Sequence, residues 1–286
     1  MRANSTGLLR LRAEFASKRF LAREYALGRF THRRPLKILF SDRDGWVEPL
    51  ARKLRLTRHQ FAFGDLRHAD LAGYDLVVPL SMEDLRFLSG LRAELRTLIP
   101  IPSPEAIDLC DDKLKFHAHL RRHGFERWLP RTGTSLAYPY VLKKSVDEAG
   151  EHCHIVTDEE SESAVAADRA KPDFFVEEFV PGTREFASHI LFMGGRVVTS
   201  LDVEYRYTTE FPIKGKTWPV FKTVRRSRHL PLFTGMLNAV RFEGLCCVNY
   251  KLRRGEPVVF EINPRLGRSA TAYFFAFLRH LAPGRT

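Results

Sequence analysis

Near the end of the chain, Asn249, Glu261 and Asn263 are the residues whose types and spacing suit chemistry. Glu261 and Asn263 lie two apart on a strand-like run from Val258 to Ile262 that ends at Asn263-Pro264-Arg265, so period-two geometry turns both to one face. Asn249 belongs to the preceding run, where Cys247, Asn249 and Lys251 alternate with Val248, Tyr250 and Leu252. Arg254-Gly-Glu-Pro257 between the runs is turn chemistry, which predicts a hairpin that brings Asn249 level with the other two. One carboxylate and two carboxamide oxygens then converge. They are hard oxygen ligands of the kind Mg²⁺ takes, with Mn²⁺ as an alternative. Arg265 follows directly, and its planar fork suits phosphate oxygens. A solvated strand edge is the plain alternative for any one of these residues taken alone.

The phrase Glu261-Ile-Asn-Pro-Arg-Leu-Gly-Arg-Ser269 resembles the metal-binding signature of the ATP-grasp superfamily, in which a Glu-x-Asn-Pro-Arg run closes a hairpin. The resemblance covers about residues 105–280, with a looser match over 36–104. It implies an α/β (α+β) fold: a small N-terminal parallel α/β domain at 35–104, then a two-lobed ATP-grasp fold. The small lobe with a lid hairpin spans 105–180 and the large lobe with the metal site spans 181–286.

Length and composition agree with a globular chain. The 286 residues are 44% hydrophobic and 28% charged, enough for a sizeable core in one or two domains. No run reaches the ~18 apolar residues of a membrane span. The N-terminus carries charge where a secretory signal needs an apolar core. The four cysteines have no zinc-like spacing, so reduced thiols in a cytoplasmic protein are expected. A net charge of +12 suggests an anionic partner: nucleotide, acidic substrate, nucleic acid or membrane surface.

Residues 1–34 are strongly basic and place Leu8, Leu11, Phe15, Ala22 and Ala26 near one helical face. A basic amphipathic helix is predicted. Docking on the protein's own body or a second subunit, as in a homodimer, is favoured over an anionic membrane, since no lipid-anchor motif is present. Strands are expected at Leu36–Phe40, Asp75–Leu80 and Leu98–Ile101, with helices over Glu48–Leu56 and Met82–Arg96, an alternation that gives a small parallel sheet. Asp42 and Asp44, after the first strand, face either a substrate or solvent. Ser103-Pro104 starts one helix, and Asp111 or Asp112 caps another that stops at Gly124. His117, His119 and His123 on it are assigned to a polar surface. Tyr138–Lys144 and His152–Val156 form a hairpin. Thr157 with Glu160 suggests a capping box on a helix running to about Ala170. Asp173–Val180 is a strand, and Phe186–Phe192 with Arg196–Val203 form a hairpin over Met193-Gly-Gly195. Residues 205–222 are expected to be irregular, Leu230–Phe242 helical, and Thr271–Phe277 a buried helix.

The remaining roles are what the resemblance implies. Lys113, from an Asp-Lys pair, and Lys143, on a strand of the lid hairpin, would hold the phosphates of ATP. Glu177 and Val180, with Glu178 as alternate, would recognise adenine, and Glu185 the ribose. Arg225, Arg226 and Arg228, and also Lys216, would hold the substrate and an acyl phosphate, a solvated basic face being the competing reading. The family's lid loop commonly carries several glycines. Here it has only Gly150, and Asp147 and Glu148 add negative charge. The implied activity is an ATP- and Mg²⁺-dependent ligase joining a small-molecule or peptide-like carboxylate to an amine or thiol through an acyl phosphate. No Gly-x-Ser-x-Gly or Cys–His nucleophile signature competes with it. A kinase on the same fold and a non-catalytic nucleotide- or anion-binding module are the alternatives. Nucleic acid or a membrane surface is a lesser candidate partner.

Overall fold

The computed structural model describes residues 2–29, 32, 34–95, 100–134, 136–148 and 150–281. Helix α1 (Arg2–Arg29) leads into β1 (Lys37–Ser41), α2 (Val47–Leu54), β2 (Gln60–Gly64), β3 (Leu76–Val78) and α3 (Met82–Leu91). The three strands form a parallel sheet in the order β2-β1-β3. Its central strand buries Ile38, Leu39 and Phe40 almost completely, as a strand covered on both faces must. β2 was not anticipated, because Phe61 and Phe63 alternate with small residues and are only half-buried. Of the strand expected at Leu98–Ile101, residues 98 and 99 lie outside the described set. Pro100 and Ile101 are not in a strand, and Pro100 instead gives its carbonyl to Leu245 N at 3.1 Å.

Next come α4 (Pro104–Asp111), capped by Ser103, and α5 (Lys113–Arg122), capped by Asp112. β4 (Tyr140–Lys144) and β5 (Cys153–Val156) are followed by α6 (Glu159–Ala164), α7 (Ala166–Arg169) and β6 (Phe174–Glu178). The three strands make an antiparallel sheet, β5-β4-β6. The expected Thr157/Glu160 capping box is replaced by Asp158 and Ser161. Asp158 accepts from Ser161 N at 2.8 Å, and Ser161 Oγ accepts from Asp158 N at 3.1 Å.

The rest of the chain is β7 (Arg184–Met193), β8 (Arg196–Arg206), β9 (Phe221–Arg225), α8 (Leu230–Ala239), β10 (Gly244–Arg253), β11 (Glu256–Asn263) and α9 (Phe275–Leu278). Its strands form a five-stranded antiparallel sheet, β11-β10-β7-β8-β9. The stretch expected to be irregular thus ends in an edge strand, β9. Part of the expected Thr271–Phe277 helix is a 3-10 turn, Arg268–Tyr273, ahead of α9.

Helix α1 docks on this body. Phe20, Leu21 and Tyr25 pack on the core beside the five-stranded sheet. Ser17 Oγ accepts from Val224 N at 2.9 Å and donates to Val224 O at 3.3 Å, which satisfies backbone groups on an otherwise open sheet edge. Glu24 pairs with Arg279 at 2.9 Å. Among the described residues, no helix is long and apolar enough to cross a membrane.

Candidate active site

The final hairpin sets the register on which the site depends. Asn249 pairs with Glu261 and Cys247 with Asn263 across β10 and β11. All four side chains therefore share one face of the large sheet. Asn249 Nδ2 donates to Glu261 Oε1 at 2.6 Å, and Asn263 Nδ2 donates to the same oxygen at 2.9 Å. Burial pushes the Glu261 carboxyl up. Lys113, Asn263, Lys143 and Asn249 together outweigh that and hold it at about 2, so it is ionised at neutral pH. A half-turn of each carboxamide presents its oxygen in place of its nitrogen. The donor set fits a hard divalent cation: one ionised carboxylate with two carboxamide groups in contact with it.

A bulge at Phe260, where the register shifts between Glu261 and Val259, tightens this hairpin beside the site. The carbonyl of Phe260 accepts from His117 Nε2 at 2.9 Å. His117 is thus fully buried, not part of the polar helix surface assigned from sequence. Burial, then Lys143, pulls its pKa down to about 3. His119 donates to Ala239 O at the end of α8, a long-range bond, and His123 to His119 O within its own helix.

Lys113, the first residue of α5, sits 3.6 Å from Glu261 Oε2 and donates to Asp147 O at 2.9 Å. Lys143 shares a face of the small sheet with Glu177, and its Nζ lies 2.6 Å from Glu177 Oε1. Burial pushes the Glu177 carboxyl up despite Lys143. Its Oε2 is buried with no hydrogen-bond partner. Glu185 is buried in the same region, 3.9 Å from Lys214. Val180 O accepts from Lys251 Nζ at 3.0 Å. Arg265 is only 7% exposed and reaches Glu148 at 3.1 Å.

Four expected residues lie elsewhere. Glu178, one position on from Glu177, turns to the other face. There it bonds Arg131 N at 3.1 Å and Arg253 at 2.9 Å. Arg225 stacks 4.8 Å from Phe186, which itself stacks on Tyr250, on the sheet face opposite Asn249. It is paired there with Glu204 at 3.3 Å. Arg226 follows β9 and is exposed. Lys216 bonds Cys153 O at 3.1 Å on the small sheet.

Sequence reasoning missed Lys214. The loop between β8 and β9 crosses the site and hydrogen-bonds Lys214 Nζ to Asn249 Oδ1. Its basic, Gly-flanked setting, Lys214-Gly-Lys216, was the available signal. The loop Pro264-Arg-Leu-Gly267 returns so close to β7 and β10 that a Cβ on Gly267 would lie 2.5 Å from His189 and 3.0 Å from Cys247. Glycine is required there by close approach.

Residues 110–269 match the sequence model of the ATP-grasp domain. This is more than half of the chain, and the protein belongs to the ATP-grasp family. No curated protein matches it in sequence. Among solved structures it is similar to the D-alanine–D-alanine ligase of Bacillus anthracis complexed with ATP, at 13% identity and TM-score 0.58, over 88% of this chain and 96% of that one. It is also similar to the L-amino acid ligase of Bacillus licheniformis, at 17% identity and TM-score 0.58, over 86% and 71%. A third is the biotin carboxylase domain of Hydrogenobacter thermophilus 2-oxoglutarate carboxylase with MgADP, ADP and bicarbonate, at 14% and 0.56, over 89% and 71%. At these identities the likeness is one of fold.

Proposed function

We propose that the protein is an ATP- and Mg²⁺-dependent ligase that joins a carboxylate to an amine through an acyl phosphate. The observation that carries this reading is the partly buried Asn249–Glu261–Asn263 cluster with Lys113 3.6 Å from its carboxylate. Lys143, whose charge also acts on that carboxylate, and Arg265, beside Glu148, add support. The ligase structures it resembles support the choice of reaction.

A divalent cation held by Glu261, Asn249 and Asn263 would supply charge neutralisation on the triphosphate. Lys113 and Lys143 hold phosphate oxygens, and Lys214 adds a third cation beside Asn249. Glu177 and the main chain at Val180 take adenine, whose amino group donates and whose ring nitrogen accepts. Glu185 takes the ribose hydroxyls. Arg265 meets the charge that develops on the transferred phosphoryl group. The substrate carboxylate attacks the γ-phosphorus, ADP leaves, and the amine then displaces phosphate from the acyl carbon. The protein acts by positioning and electrostatics and needs no side-chain nucleophile.

Calorimetric titration with Mg²⁺ and the non-hydrolysable analogue AMP-PNP tests the site. Glu261→Ala is expected to weaken binding on the order of 100-fold, about 3 kcal/mol. Unchanged affinity rejects the assignment. With a panel of carboxylates and amines, release of ADP and free phosphate supports ligation. Phosphate retained on a stable acceptor identifies a kinase instead.

A further inference from the structure

The loop between β4 and β5 places an acidic side chain against two of the chain's arginines. Arg43 follows β1, at the carboxyl end of a parallel strand, where ligands gather in open α/β sheets. Arg265 follows β11, more than 200 residues later in the chain. Their guanidinium groups lie over the same indole, Trp46, at 4.6 and 5.2 Å from a ring centroid. Glu148 bridges them. One carboxylate oxygen meets Arg43 Nη2 and the other lies 3.1 Å from Arg265 Nη2. Arg43 is anchored from behind by Leu80 O.

Two further observations mark this as more than a surface ion pair. Arg265 is nearly buried, yet its Nε has no hydrogen-bond partner. A buried guanidinium donor left unpaired is costly, so the cradle has more donor capacity than Glu148 uses. Asp147, next to Glu148, places its carbonyl oxygen on Lys113. Asp147 and Glu148 thus each place an oxygen on a cation, and both line the small pocket that also holds Lys113, Glu261 and Asn263. Glu148 itself is 36% exposed, so an incoming anion can reach and replace it.

We infer that Arg43, Trp46 and Arg265 form a subsite for the carboxylate of a substrate, and that Glu148 occupies it in the substrate's absence. This rests on the ligase reading above and adds to it the residue from the N-terminal sheet that grips the substrate. Two planar forks match a carboxylate geometrically, and the indole face supports both. Glu148 is tethered, so it competes as an intramolecular ligand at an effective concentration in the millimolar range. It lowers the apparent affinity for free carboxylates and excludes those that bind weakly.

The chain has three tryptophans. Trp218 is 90% exposed, and Trp128 packs on a different core cluster from Trp46, beside Phe125, with its indole N–H on Glu256. Trp128→Phe with Trp218→Phe therefore leaves Trp46 as the reporter. Succinate is titrated at constant ionic strength, without nucleotide. With Glu148→Gln, a saturable change in Trp46 emission is expected at about tenfold lower succinate than with Glu148 present. Adding Arg43→Ala should abolish it. Arg43→Lys keeps the charge, tests the planar fork if the alanine variant does not fold, and should weaken binding severalfold. Three results overturn the subsite: no saturable change with Glu148→Gln, equal affinity with and without Glu148, or indifference to both Arg43 variants. Mg²⁺–AMP-PNP binding is measured separately. Succinate binding without nucleotide binding retains the subsite and rejects the ligase reading. The reverse rejects the subsite alone.

Discussion

Replacing Lys143 by Met removes a charge that this structure uses even without nucleotide. Lys143 Nζ is 2.6 Å from Glu177 Oε1, and the two side chains are 10% and 3% exposed. The methionine keeps most of the volume, so the loss is electrostatic. Glu177 must then stay charged and unpaired, or take a proton. Its ordinary value is 4.5, so protonation at pH 7.5, three units higher, costs about 4 kcal/mol at 1.36 kcal/mol per unit. That ceiling agrees with the ~3–5 kcal/mol seen when one partner of a buried pair is removed. In a chain of this size it lowers Tm by about 10 °C. The sign of the pH dependence follows. In the variant, folded Glu177 holds a proton that the unfolded chain releases above 4.5. Stability therefore falls as pH rises above 4.5 and is regained as pH drops toward it. Because burial already pushes Glu177 up with Lys143 present, the deficit lies below that ceiling and should shrink by at most about 1.4 kcal/mol per unit as pH falls. Urea unfolding followed by circular dichroism at pH 7.5, 6.5 and 5.5 measures it. Lys143→Met with Glu177→Gln should recover most of the stability but not nucleotide binding. A deficit that is constant with pH, or under about 1 kcal/mol at pH 7.5, refutes the reasoning.

Ser17→Ala removes both bonds to Val224 and should cost about 1–2 kcal/mol, read as a lower urea midpoint and faster amide exchange along β9. An unchanged midpoint would show that α1 does not stabilise that edge. His59 accepts from Leu36 N at 3.0 Å through Nδ1, which requires the neutral ring. Burial, then His32 and Arg58, pull its pKa down from 6.5 to about 4. Between those values the unfolded chain binds a proton that the folded one refuses, so stability falls as pH drops through that window, by about 3 kcal/mol in all. His59→Asn should flatten that part of the stability–pH curve, and the same slope in the variant counts against the assignment.

The metal-type cluster was legible in the sequence because it is local. Asn249, Glu261 and Asn263 lie on two strands joined by a tight turn, and period-two alternation with the hairpin's register settles which side chains meet. Asp112 with Lys113, and the hairpin of Lys143's strand with Cys153–Val156, were legible for a similar reason: cap chemistry, turns and alternation are short-range. The same alternation separates Glu177 from Glu178, but which of the two faces the cleft depends on what packs against the sheet. Arg225 was misplaced for that reason. Its strand, β9, joins the sheet through a fourteen-residue loop, so no local pattern sets its register, and its side chain falls on the far face.

Tertiary structure alone decided the rest. His117 is buried because the bulge at Phe260 turns a carbonyl toward α5. Lys214 reaches Asn249 because a long loop closes over the large sheet. Arg43, Glu148 and Arg265 meet over Trp46 although they come from three different parts of the chain. A sequence specifies partners over a few residues through turn, cap and period. Contacts between distant segments depend on how whole sheets and loops pack, and this protein's arginine cradle is of that kind.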